Sequence, residues 1–244
     1  SHFDHCGSVS FLKKEFSDLK VVASAKAKKV LGRPNALALI RKLTRVNEPL
    51  AKTIGIELVE FQRFEPFEVD VTLKGGEFIK LSPDLTVQVV ETPGHTRDCL
   101  SYFIPQKKVL LCSEAAGVPD ATGYIVSEAL VDFDQYYESM SRLSEVEFDV
   151  LCLGHRQVLI GQDANDYFRK SMTHCRDFLN LVESSLIEEG GNVQKVLAQI
   201  KTIQYDPIQG PKQSEPAYLL NLEAKVKAIQ RRLENRSENL EIAN

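Results

Sequence analysis

Two imidazoles and a carboxylate crowd the opening of this 244-residue chain, Ser1-His2-Phe3-Asp4-His5, within four positions. Imidazole and carboxylate are donors that borderline divalent cations such as zinc favour. An H-x-D-H element alone is modest support for a metal site, so the weight falls on whether other segments supply partners. They do. His95 follows the strand-like run Thr86-Val87-Gln88-Val89-Val90-Glu91 and a turn signal, Thr92-Pro93-Gly94. His155 follows Val150-Leu151-Cys152-Leu153-Gly154, and between these two Val109-Leu110-Leu111-Cys112 leads into Ser113-Glu114. Each of these candidate ligands stands just past the C-terminal end of a predicted buried strand, where layered scaffolds usually hold their chemistry. Any one such histidine reads more readily as a cap or a core residue. Four in such contexts, with acids at two of the same places, tip the balance towards ligation.

The set His2-x-Asp4-His5, Thr92-Pro93-Gly94-His95-Thr96, Cys112-Ser113-Glu114 and Gly154-His155 resembles the metallo-β-lactamase-fold hydrolases, in their glyoxalase II-like and thioesterase-like branch. The likeness extends over roughly the first two-thirds of the chain. It implies an α/β (α+β) fold, an αββα sandwich with a C-terminal helical appendage. In that family the opening motif reads H-x-H-x-D-H and a block of strands precedes it. The resemblance therefore implies a chain that begins partway through its domain, without those N-terminal strands.

Two divalent metal ions are implied, zinc first, with iron or manganese as alternatives. His2 and His95 would belong to a first site that lacks its third histidine, and Asp4, His5 and His155 to a second. Glu114 stands where the family usually has an aspartate bridging both metals. Being one methylene longer, it could bridge or serve one metal only, and both remain open. The implied reaction is hydrolysis of an acyl thioester or ester by a metal-bound hydroxide, with the cations polarising the carbonyl and stabilising the oxyanion. Asp4 is the catalytic residue of the set, orienting the water and taking up its proton while it binds the second metal.

Two other readings stay beside this one: an iron-dependent sulfur dioxygenase of the same fold, and a non-catalytic binding or sensor relative, the latter suggested by Glu114. Cys6 and Cys112 lie close to candidate ligands, but cysteine is commonly a small buried apolar residue. There is no G-x-S-x-G element.

Composition fits a soluble enzyme with a small-molecule acyl substrate. The chain is 43% hydrophobic and 26% charged, enough for a substantial core. Its net charge of −4 argues against a nucleic-acid surface. No apolar run reaches membrane-spanning length. Five scattered cysteines, Cys6, Cys99, Cys112, Cys152 and Cys175, suggest no disulfide framework, which points to the cytoplasm. A homodimer is compatible with the sequence.

Along the chain, residues 1–161 read as the catalytic core and 162–244 as a helical region. Val9, Leu12 and Phe16 recur at helical spacing, and Val21-Val22-Ala23 reads as a short strand. A helical stretch from about Asn35 to Ile54, broken near Pro49, lies in a segment (about 30–60) that reads equally as a lid or as a permanently packed helix. Val69-Asp70-Val71 and Val87-Gln88-Val89 alternate as strands around a Gly75-Gly76 turn. Asp163 is expected to cap a long helix carrying Tyr167, Phe168, Cys175, Phe178 and Val182. Further helices are predicted from Val193 to Ile203 and through Leu219, Leu222, Val226, Ile229 and Leu233. The polar run from Arg231 to Asn244 is expected to fray, and His174 to lie at the surface.

Overall fold

The computed structural model describes residues 1–46, 64–209 and 212–242. They form two compact units, Ser1–Glu77 and Phe78–Asn244, both of mixed α/β character.

In the first unit the H-x-D-H element is itself helical. It forms the short turn α1 (Phe3–Cys6), followed by α2 (Val9–Glu15), β1 (Val22–Ser24), α3 (Ala25–Leu31), α4 (Pro34–Val46) and β2 (Val71–Leu73). β1 and β2 pair in parallel. The Ser24 hydroxyl caps α3 by accepting from the Ala27 amide at 3.0 Å. Asp70 ties both ends of the unit together, accepting from the Val21 amide at 2.7 Å and from Lys13 Nζ at 2.9 Å. Those hydrogen bonds, the amide first, hold its carboxyl below the usual range. Cys6, Leu31, Ile40, Phe64 and Val69 make the core, so Cys6 is a packing residue here. The helix predicted over about Asn35–Ile54 is found as α4; its continuation, with the second half of the segment read as a lid, lies outside the described residues.

The second unit is built on a six-stranded sheet in the order β10-β9-β6-β5-β4-β3. Its strands are β3 (Phe78–Ser82), β4 (Leu85–Glu91), β5 (Leu100–Ile104), β6 (Val109–Ser113), β9 (Val150–Leu153) and β10 (Val158–Ile160); a small ribbon pairs β7 (Val118–Pro119) with β8 (Ile125–Val126). β4 is antiparallel to β5, β5 to β6, and β6 is parallel to β9. β4, β6 and β9 therefore all run the same way, and their C-terminal ends share one edge of the sheet. Leu110, Cys112 and Leu151 from β6 and β9 pack with Phe133, Tyr136, Met140 and Leu143 of α5 (Phe133–Ser144), which recur three or four residues apart. The same core takes in α6 (Gln162–Glu188), α7 (Val193–Gln204) and α8 (Glu215–Ile242), the last through Leu222, Val226 and Ile229.

Several expectations are corrected. Asp163 does not cap α6. The cap is Gly161 at φ +60°, which glycine adopts without a Cβ clash, and Asp163 sits in the first turn, where a carboxylate favours the helix dipole. The run after Arg231 stays helical to Ile242, and Arg232 anchors it by pairing with Asp134 of α5 and Glu183 of α6. His174 is half-buried, stacked on Tyr124 at 4.5 Å, with Nδ1 accepting from the Ile125 amide. No helix among the described residues is long and apolar enough to cross a membrane.

Candidate metal centre

In the first unit, α1 gathers His2, Asp4 and His5. Asp4 Oδ1 accepts from His2 Nδ1, and His5 Nε2 lies 3.8 Å from the same oxygen. Desolvation raises the Asp4 carboxyl, but the hydrogen bond from His2 and the charges of both imidazoles outweigh it and hold the group below its ordinary range. The spacing thus produces a clustered N,O,N donor set on one turn.

In the second unit, His95, Glu114 and His155 leave the sheet from β4, β6 and β9 along the shared edge, as their positions in the sequence predict. Glu114 is buried, and its Oε1 lies 3.0 Å from His155 Nε2. Ser113 donates to the other carboxylate oxygen. Two donors on one tetrahedral cation, at about 2.0–2.2 Å from it, lie roughly 3.3–3.6 Å apart, so this pair has the chemistry a divalent ion requires and need part only by a few tenths of an ångström to hold one.

Close backbone approach makes the pair possible. The β6–β9 register shifts after Leu111, so that Ser113 faces Leu153 and the Gly154 amide donates to the Ser113 carbonyl at 3.0 Å. A Cβ on Gly154 would come within 2.9 Å of Ser113 C. Ser113 itself is held at φ +50°, ψ −136°, a conformation costing about 1–3 kcal/mol for a residue with a side chain. That conformation turns the chain so that the buried Glu114 side chain faces His155.

His95 is fixed from its far side. Its ring is almost wholly buried, and Nδ1 donates to the Glu128 carbonyl at 2.7 Å. A carbonyl only accepts, so Nδ1 carries the proton and Nε2 of the neutral ring holds the lone pair. That is the arrangement of a histidine oriented for a metal by its outer-shell partner. The Thr92-Pro93-Gly94-His95 loop is fastened at almost every residue. Thr92 Oγ1 and Ser101 Oγ meet at 2.9 Å, Ser139 donates to the Pro93 carbonyl at 2.8 Å, and the Val131 and Asp132 amides donate to the Gly94 carbonyl. Gly94, at φ +130°, lies directly on the Tyr136 backbone.

Tyr136 joins the two halves of this strand-end set, and nothing in its helical spacing distinguishes it from core. It is fully buried; its hydroxyl donates to the Glu114 carbonyl at 3.0 Å and accepts from the Glu128 amide at 3.3 Å. Burial pushes its phenol well above the usual range, so it stays a donor at any working pH. Tyr136→Phe is expected to destabilise the protein by about 1–3 kcal/mol, because a buried carbonyl and a part-buried amide each lose a partner. In thermal melts this is a drop of roughly 2–4 °C per kcal/mol. A melt unchanged from the parent, with metal retention also unchanged, counts against the role assigned to Tyr136.

A model of the metallo-beta-lactamase superfamily matches residues 1–155. Hydroxyacylglutathione hydrolases of Brucella ovis and Brucella abortus are each 33% identical over 70 residues, 28% of this chain and 27% of theirs. The matched stretch thus spans about a quarter of the length of those curated relatives. A metallo-beta-lactamase family protein from Thermus thermophilus superposes with a TM-score of 0.59 at 16% identity, covering 97% of this chain and 73% of its own, a likeness of fold alone.

Proposed function

This chain belongs to the metallo-beta-lactamase superfamily, and from that premise we propose that it is a metal-dependent hydrolase of acyl thioesters or related activated esters. The observation that carries the reading is His95: a buried imidazole whose Nδ1–H donates to a main-chain carbonyl, at the same sheet edge as the Glu114–His155 pair. The full proposal assigns His2 and His95 to one cation, Asp4, His5 and His155 to another, and Glu114 to one or both. Zinc is the first choice for both ions. Cations held there would supply an activated water near neutral pH and positive charge for the oxyanion that develops on the carbonyl oxygen as its carbon is attacked.

The chain's own groups do the rest. The Asp4 carboxylate orients the attacking water and accepts its proton. Glu114, buried and braced by Ser113 and Tyr136, keeps the donor set rigid, which the reaction needs because small misplacements of reacting groups cost rate heavily. The partner is a small acyl substrate, and the hydroxyacylglutathione hydrolase relatives favour a thioester. Free thiols at all five cysteines suit a reducing cytoplasm.

The deciding experiment measures metal content and turnover together. The protein is loaded with zinc, iron or manganese and assayed on a hydroxyacylglutathione, a simple acyl thioester and an aryl ester. Thioester turnover that a chelator abolishes and zinc restores is the expected result. A single bound iron, with oxygen uptake on a persulfide and no thioester turnover, sinks the hydrolase reading.

A further inference from the structure

The residue that orients His95 is itself held by a buried charge on the C-terminal helix. Glu128 is engaged through three groups: its carbonyl accepts from His95 Nδ1 and from the Leu130 amide, its amide donates to the Tyr136 hydroxyl, and its carboxylate Oε1 lies 3.5 Å from Lys225 Nζ. Lys225 stands on α8 among Leu222, Val226 and Ile229, and its side chain is only 3% exposed. The Glu128 side chain is 12% exposed, and Lys225 Nζ also sits 5.5 Å from the Phe178 ring centroid.

An ammonium group this deeply buried persists only if it is paired, because taking either charge out of water costs several kcal/mol and breaking the pair strands the other. A helix filling only an apolar seam has no need of such a group. Here the pair sits one residue's main chain away from a candidate metal ligand. The Glu128 side chain is drawn towards α8 while its carbonyl faces His95, so the charge pair restrains the peptide that sets the ring.

We propose that Lys225 is a positioning residue for His95: through Glu128 it holds the imidazole in the Nδ1–H tautomer and aims Nε2 for metal binding. The C-terminal helix is then part of the outer shell of the metal centre as well as a packing element. The inference rests on His95 being a ligand, as proposed above.

The test uses the full chain in Lys225→Met and in Lys225→Met/Glu128→Gln. The second variant removes both charges and so folds even if the first is left with a stranded carboxylate. Two readouts are taken. In metal-free protein at pH 8, long-range proton–nitrogen correlations report the His95 tautomer. In cobalt-loaded protein, titration followed by the visible absorption of the bound ion reports affinity. The parent is expected to show His95 as Nδ1–H alone, and both variants a mixture of tautomers with cobalt affinity about 10–100-fold weaker, the usual effect of losing an outer-shell partner.

A lowered melting temperature with tautomer and affinity unchanged makes Lys225 merely structural and overturns the inference. If the parent binds no cobalt, or His95→Ala binds it equally well, the ligand reading of His95 fails. The tautomer readout then decides the positioning role by itself, a single Nδ1–H form in both variants overturning it.

Discussion

Replacing Gly94 with alanine is expected to remove the loop that carries His95 from its seat, with a loss of about 2–6 kcal/mol in stability. Two effects add. A methyl group there would lie 2.3 Å from Tyr136 Cα and 2.4 Å from its amide nitrogen, both main-chain atoms that cannot step aside without moving α5. Overpacking of this kind costs about 1–3 kcal/mol. Gly94 also sits at φ +130°, where an L side chain adds about 1–3 kcal/mol of strain. The Val131 and Asp132 amides, which meet the Gly94 carbonyl just before α5 begins, would be displaced with it. Thermal melts should fall by roughly 4–24 °C, at about 2–4 °C per kcal/mol for a protein of this size. A Gly94→Ala protein that melts within two degrees of the parent and keeps its metal shows that the loop relaxes, contrary to the packing argument.

The second large effect is chemical. His155→Ala should lower thioester turnover by more than the roughly 10²–10³-fold seen when one transition-state donor is lost, because the cation that activates water would go as well. Its structural cost should be small by comparison. His155 is a third exposed, and Glu114 keeps the Ser113 hydroxyl, so the metal-free protein should lose only about 0.5–1.5 kcal/mol. Turnover on the acyl thioester, metal retention and the melt of the metal-free protein separate these contributions. Turnover within tenfold of the parent excludes His155 from the metal set. Glu114→Asp is the informative companion. Shortening the side chain by one methylene withdraws the carboxylate from His155 Nε2, now 3.0 Å away. Activity that appears only in that variant would favour a non-catalytic role for the parent chain.

The strands that mattered most for the site were the easiest to read. β4, β6 and β9 are short apolar runs ending at Glu91, Ser113 and Leu153, and each is followed by a residue able to bind a cation. β3 and β5 were not visible in the same way. Phe78–Ser82 is an edge strand with mostly exposed side chains, and its alternation says little until it pairs with β4. The start of α6 is not legible in the sequence because Asp163 has the side chain of a cap, whereas the backbone conformation that ends the preceding loop belongs to Gly161.

By itself the amino-acid sequence determined the donor types, their order and their places at strand ends, because binary patterning and turn chemistry are local properties. Tertiary structure alone decided what those donors are able to do. The proton on His95 is placed by a carbonyl 33 residues away, Glu114 is turned inward by the backbone conformation at Ser113 and by the approach of Gly154, and Tyr136 joins the two from the middle of an apolar helix stripe. Each of these depends on main-chain atoms from distant segments meeting within hydrogen-bond distance. Residue identity carries no trace of such a meeting, since a carbonyl is the same at every position in the chain.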